Sequence, residues 1–127
     1  MGLYDAVLIK ENHLAWVPGE ELHELIRRAR EQNPDLPVIV EADSVALARK
    51  LLPLHPDRIL LDNMSPEQIR EVVQERDRSG RKIPLEVSGG INLEKAQHLA
   101  QAGADFLSVG AITHSAGAVD FALDWKA

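Results

Sequence analysis

An α/β fold built on a parallel sheet is the class this sequence predicts, and three observations point to it. Short runs rich in Val, Ile and Leu alternate with longer segments of helical periodicity. The runs are nearly continuous in apolar character, as expected of strands buried on both faces. Each run also ends in a polar residue or a glycine turn.

The elements follow in order. Ala6 to Ile9 is the first apolar run, and it stops at Lys10. From Glu20 to Glu31, Leu22, Leu25, Ile26 and Ala29 recur on one helical face with charges opposite, which predicts a helix covering one side of a sheet. Pro37 to Val40 is the second run and leads into Glu41; Asp43 or Ser44 suits the N-cap of a helix over Ser44 to Leu52. Arg58 to Leu61 is the third and leads into Asp62. Ser65, Pro66 and Glu67 then mark the start of a helix over Pro66 to Arg78, with Gly80 where it stops. Ile83 to Val87 runs into Ser88, Gly89 and Gly90, and Asn92 opens a helix over Leu93 to Ala102 that halts at Gly103. Asp105 to Val109 is the fifth run, with Ser108 and Gly110 at its end, and a last helix is expected over Ala118 to Trp125.

No linker or low-complexity tract interrupts the 127 residues, so a single domain is expected. Five strand-helix pairs are too few for a closed eight-stranded barrel of about 250 residues. The sheet is therefore either open and doubly wound or a portion of a larger barrel. A net charge of -6 argues against a nucleic-acid partner. No apolar stretch approaches the roughly 20 residues of a membrane span, and a cytoplasmic location is expected. With no cysteine, disulfides and Cys-based zinc sites are excluded, and the five histidines lack close ligand spacing.

Ligands of parallel α/β folds bind at the carboxyl ends of the strands. Those ends here are Lys10, Glu41, Asp62, the Ser88-Gly89-Gly90 turn, and Ser108 with Gly110 and Ala111. Two successive glycine turns offer unhindered backbone N–H groups to an anion such as phosphate. Two carboxylates beside such a site would repel it unless they hold a divalent cation or accept hydrogen bonds from sugar hydroxyls; a phosphorylated ribose with Mg2+ would use both. The competing reading pairs the carboxylates with Lys10 across the sheet end. His13 and His114 follow strand ends and are further candidates.

The stretches "GLYDAVLIKENH", "ILLDNMSPEQIREVV", "LEVSGGINLEKA" and "FLSVGAITHSAGAVDFALD" resemble the carboxyl-terminal part of the quinolinate phosphoribosyltransferase family, across essentially the whole chain. The resemblance implies a parallel (βα)5 portion of a TIM-like barrel over residues 1–127, with the family's amino-terminal sandwich domain and first barrel elements absent. It implies a pentosyltransferase of NAD biosynthesis that joins quinolinate to 5-phosphoribosyl 1-pyrophosphate with Mg2+, releasing pyrophosphate and CO2 and forming nicotinate mononucleotide. Carried over by motif, Lys10, Glu41 and Asp62 are catalytic and substrate-binding, and Glu41 and Asp62 also bear on Mg2+. Ser88, Gly89, Gly90, Gly110 and Ala111 would hold the 5-phosphate, with His114 close by. A homodimer or higher oligomer is implied for the full-length form. Two departures stand out. The family's Glu-Val-Glu at the second strand is here Ile39-Val40-Glu41, and the upstream cations that grip quinolinate are missing, so the chain alone is expected to be inactive. The alternatives are a non-catalytic phosphate-binding half barrel and a molybdenum-associated relative of the family.

Overall fold

The computed structural model describes residues 6–10 and 21–110. Five strands, β1 (Val7–Ile9), β2 (Val38–Ala42), β3 (Arg58–Asp62), β4 (Leu85–Ser88) and β5 (Phe106–Leu107), form one all-parallel sheet in the order β1-β2-β3-β4-β5. Between them run α1 (Leu22–Gln32), α2 (Val45–Leu51), α3 (Pro66–Arg78) and α4 (Leu93–Gln101). The expected helix over Ala118 to Trp125 lies outside the described residues.

Strand order decides between the two sheet architectures. A doubly wound sheet reverses direction at a switch point, whereas here every strand pairs with its sequence neighbour. That is the winding of a barrel wall. The helices lie side by side on one face, α2 against α3 and α3 against α4. They bury Leu22, Ile26, Ala48, Leu51, Ile69, Val72 and Leu99 against Val38, Val40, Ile59, Leu61, Leu85 and Val87 of the strands.

The expectation of burial on both faces is corrected by the alternation along the strands. Ile39, Arg58, Leu60, Asp62, Glu86 and Ser88 project from the opposite face and are only half-buried. At its two edges Leu8 and Phe106 are 41% and 47% exposed. Sequence alone suggested continuous apolar strands because Leu60 sits between Ile59 and Leu61; Arg58, Asp62, Glu86 and Ser88 reveal the period of two.

The helix starts are chemically specified. The Ser44 side chain accepts from Leu47 N–H and that of Asn92 from Lys95 N–H, while Ser65 and Gln68 form a reciprocal capping box. At the opposite end of the sheet, one device occurs twice. Asp57 accepts from Val38 N–H at 2.8 Å and its own N–H donates to Val38 O at 2.9 Å; Asp105 does the same with Leu85 at 2.8 and 2.9 Å. An arginine from a helix completes each: Arg30 of α1 at 3.4 Å from Asp57, Arg76 of α3 at 2.6 Å from Asp105.

Candidate functional site

In-register pairing arranges the open face in layers. Leu8, Ile39 and Arg58 form the lowest; Glu41, Leu60, Glu86 and Phe106 the next; Asp62 and Ser88 the uppermost. Glu86 organises the middle layer. Its Oε2 accepts from Arg58 at 2.7 Å, its Oε1 accepts from the Ser108 hydroxyl, and the Arg58 guanidinium lies 4.5 Å from the centre of the Phe106 ring. Glu86 was not among the residues the sequence singled out, although a glutamate between Leu85 and Val87 is the signal of a strand with one polar face.

Asp62 is the last residue of β3. Its Oδ1 accepts from the Ser88 hydroxyl at 2.7 Å and its Oδ2 from Asn63 Nδ2 at 3.0 Å. Asn63 itself takes a left-handed backbone, φ +52°, and its N–H donates to Ser88 O at 3.0 Å. Gly89 follows with φ +92°, and a Cβ there would sit 2.3 Å from Asn63 Oδ1, so no other residue fits. Gly90, at φ +55°, faces open space. Beside this turn opens a cleft of about 440 Å3 lined by Ser88, Gly89, Gly90, Lys95 and His98 among others.

Of the residues expected at the site, Asp62, Ser88, Gly89 and Gly90 are therefore brought together directly. Glu41 lies inside β2 rather than beyond it, because the strand extends to Ala42. It shares the open face with Asp62 one strand away and two residues lower, a Cα separation of about 8 Å for ordinary strand spacing and rise. Glu41 is 8% exposed, and its carboxylate makes no hydrogen bond or ion pair to another described residue. Lys10 stands exposed just past β1, and Gly110 lies beyond β5. Ala111, His13 and His114 fall outside the described residues.

The donor chemistry suits a magnesium ion in part. Glu41 and Asp62 offer hard oxygen ligands on one face, and Mg2+ commonly takes one or two carboxylates with waters and substrate phosphates. Among the described residues no three acidic or histidine side chains cluster as a complete metal cage. Any such ion would depend on ligand oxygens for the rest of its coordination.

A singly wound parallel sheet with carboxylates and an open glycine turn at its carboxyl end defines a barrel-type α/β domain. Residues 1–124 match the family model described as quinolinate phosphoribosyl transferase, C-terminal domain. The chain belongs to that family. It is 42% identical over 124 residues to the nicotinate-nucleotide pyrophosphorylase (carboxylating) of Mycobacterium leprae, a match spanning 98% of this chain and 43% of that protein. It is 40% identical to a probable nicotinate-nucleotide pyrophosphorylase of Methanocaldococcus jannaschii, spanning 96% and 44%. The NadC structure from Streptococcus pyogenes superposes with a TM-score of 0.78 at 34% identity, over 98% of this chain and 42% of that one. The chain thus spans less than half the length of these relatives. A structure described as an aldolase, 17% identical at a TM-score of 0.64, shares the fold alone.

Proposed function

We propose that this chain forms the phosphoribosyl-binding part of a quinolinate phosphoribosyltransferase (decarboxylating), which makes nicotinate mononucleotide, pyrophosphate and CO2 from quinolinate and 5-phosphoribosyl 1-pyrophosphate. The observation that carries this reading is the Asp62 carboxylate fastened beside the Ser88-Gly89-Gly90 turn. A carboxylate that accepts ribose hydroxyls next to backbone N–H groups free for a phosphate suits one ligand that bears both.

In this reading Glu41 and Asp62 face the ribose, where bond cleavage at the anomeric carbon develops positive charge that carboxylates stabilise. Ser88, Gly89, Gly90, Gly110 and Ala111, with His114, receive the 5-phosphate. Lys10 contributes one of the cations that bind quinolinate. Mg2+, held through Glu41 and Asp62, would neutralise the departing pyrophosphate. The setting is cytoplasmic, and the full-length enzyme is a homodimer or higher oligomer. The remainder of the relatives' length would supply the further quinolinate-binding cations, so the 127 residues alone are inactive. The test is turnover of quinolinate and 5-phosphoribosyl 1-pyrophosphate by this chain alone and by a fusion to the amino-terminal part of a relative. Activity restored only in the fusion is expected; full activity of the chain alone would overturn the dependence, and no activity in a folded fusion would overturn the assignment.

A further inference from the structure

We infer that Asn63 is a positioning residue that couples the Asp62 carboxylate to the glycine turn, so that the ribose-facing and phosphate-facing groups keep a fixed spacing. The inference rests on the phosphoribosyl reading above. Asn63 touches both sides of the site at once. Its Nδ2 donates to Asp62 Oδ2 at 3.0 Å, its N–H donates to Ser88 O at 3.0 Å, and its Oδ1 packs where a Cβ on Gly89 would lie. The Ser88 hydroxyl closes the circuit on Asp62 Oδ1 at 2.7 Å.

Residue type and backbone agree with this role. At φ +52°, Asn is among the few side-chain-bearing residues that adopt the left-handed region readily. It alone combines that tolerance with a donor for the carboxylate and an acceptor-sized oxygen against Gly89. Asp62 thereby accepts one hydrogen bond on each oxygen, which fixes the plane of its carboxylate. The free lone pairs of that plane remain for a ligand.

The test uses Asn63→Gly, which keeps the left-handed backbone and its N–H but deletes the side-chain contacts to Asp62 and Gly89, and Asn63→Asp, which keeps the shape but loses the donor. Calorimetric binding of 5-phosphoribosyl 1-pyrophosphate with Mg2+ is measured for the 127-residue chain, for both variants, for Asp62→Asn, and for Asn63→Gly combined with Asp62→Asn. Either single substitution is expected to weaken binding about 10-fold, the effect of losing one hydrogen bond to a charged group. Within Asp62→Asn chains, Asn63→Gly is expected to add less than about 2-fold, because the coupled partner is already impaired. Independent, multiplying effects would overturn the coupling, as would unchanged affinity in both single variants. Amide exchange at position 63, read without ligand, separates this inference from the reading it rests on. Exchange in Asn63→Gly faster than glycine's intrinsic rate accounts for supports the side chain as what holds the backbone N–H on Ser88 O, even if no phosphoribosyl ligand binds, an outcome that would overturn the phosphoribosyl reading alone; unchanged exchange overturns the positioning role.

Discussion

The two faces of the sheet obey different rules. On the helix-covered face, Val38, Val40, Ile59, Leu61 and Leu85 are fully excluded from solvent and carry only hydrocarbon. On the open face, Arg58, Glu86, Asp62 and Ser88 bond to one another or to neighbours while remaining only partly buried. Burial of apolar side chains, worth about 1.5–3 kcal/mol each, places the stability of the fold on the first face. The second is free to carry charge because it contributes little to that sum. Strand residues one position apart therefore answer to stability or to chemistry.

Substitutions at adjacent positions of β3 should expose this division. Leu61→Ala, on the covered face, is expected to cost about 3 kcal/mol of unfolding free energy through the cavity it leaves, measured by urea denaturation. Asp62→Ala and Gly89→Val are expected to abolish binding of 5-phosphoribosyl 1-pyrophosphate, a loss of at least about 100-fold or ~2.7 kcal/mol, with a nearly intact circular dichroism spectrum. Unchanged affinity in calorimetric titration would remove these residues from the site.

Arg58→Ala falls between the two. It leaves the Glu86 carboxylate, its side chain 15% exposed, without its cation, and a loss of about 1–2 kcal/mol is expected once solvent screening is allowed for. Leu60→Ala, half-buried beside Leu61 on the other face, should cost under about 1 kcal/mol in the same urea titration; a loss equal to that of Leu61→Ala would erase the distinction between faces.

The smallest effect belongs to pH. Hydrogen bonds from Arg27 and Arg28 lower the Glu24 carboxyl to about 2 from its ordinary 4.5. A lowered carboxylate stabilises the fold above its unfolded value, and that contribution fades as pH falls from 4.5 toward 2. Because Glu24 lies on the surface, Glu24→Gln should flatten acid unfolding in this window by an amount near the detection limit, read by circular dichroism along a pH titration.

Much of this architecture is legible in the sequence because its signals are local. Ser44, Ser65 and Asn92 are polar caps ahead of periodic apolar residues, and each occupies the capping position expected of it. Gly80 and Gly103 take the left-handed backbone expected where helices stop. Asp62, Ser88, Gly89 and Gly90 were recognisable as strand ends, and parallel pairing in register suffices to assemble them. Glu86 and Asn63 were harder to read because their importance lies in partners distant along the chain: Arg58 for the first, Ser88 and Gly89 for the second. Glu41 belongs to neither group, since its burial appears only once β2 is seen to run on to Ala42.

The paired aspartates at the far end of the sheet have a consequence for the near end. Asp57 clasps the first residue of β2 and Asp105 the first residue of β4, each backed by a helix arginine, and the arrangement recurs two strand-helix units later. A slip of one residue between parallel strands would turn every side chain to the other face. By pinning β2 to β3 and β4 to β5 where they begin, these clasps act like the fixed heads of a loom; between the two clasped pairs, the β3–β4 ladder and the Ser88 hydroxyl on Asp62 Oδ1 hold Asp62 level with Ser88 at the far end.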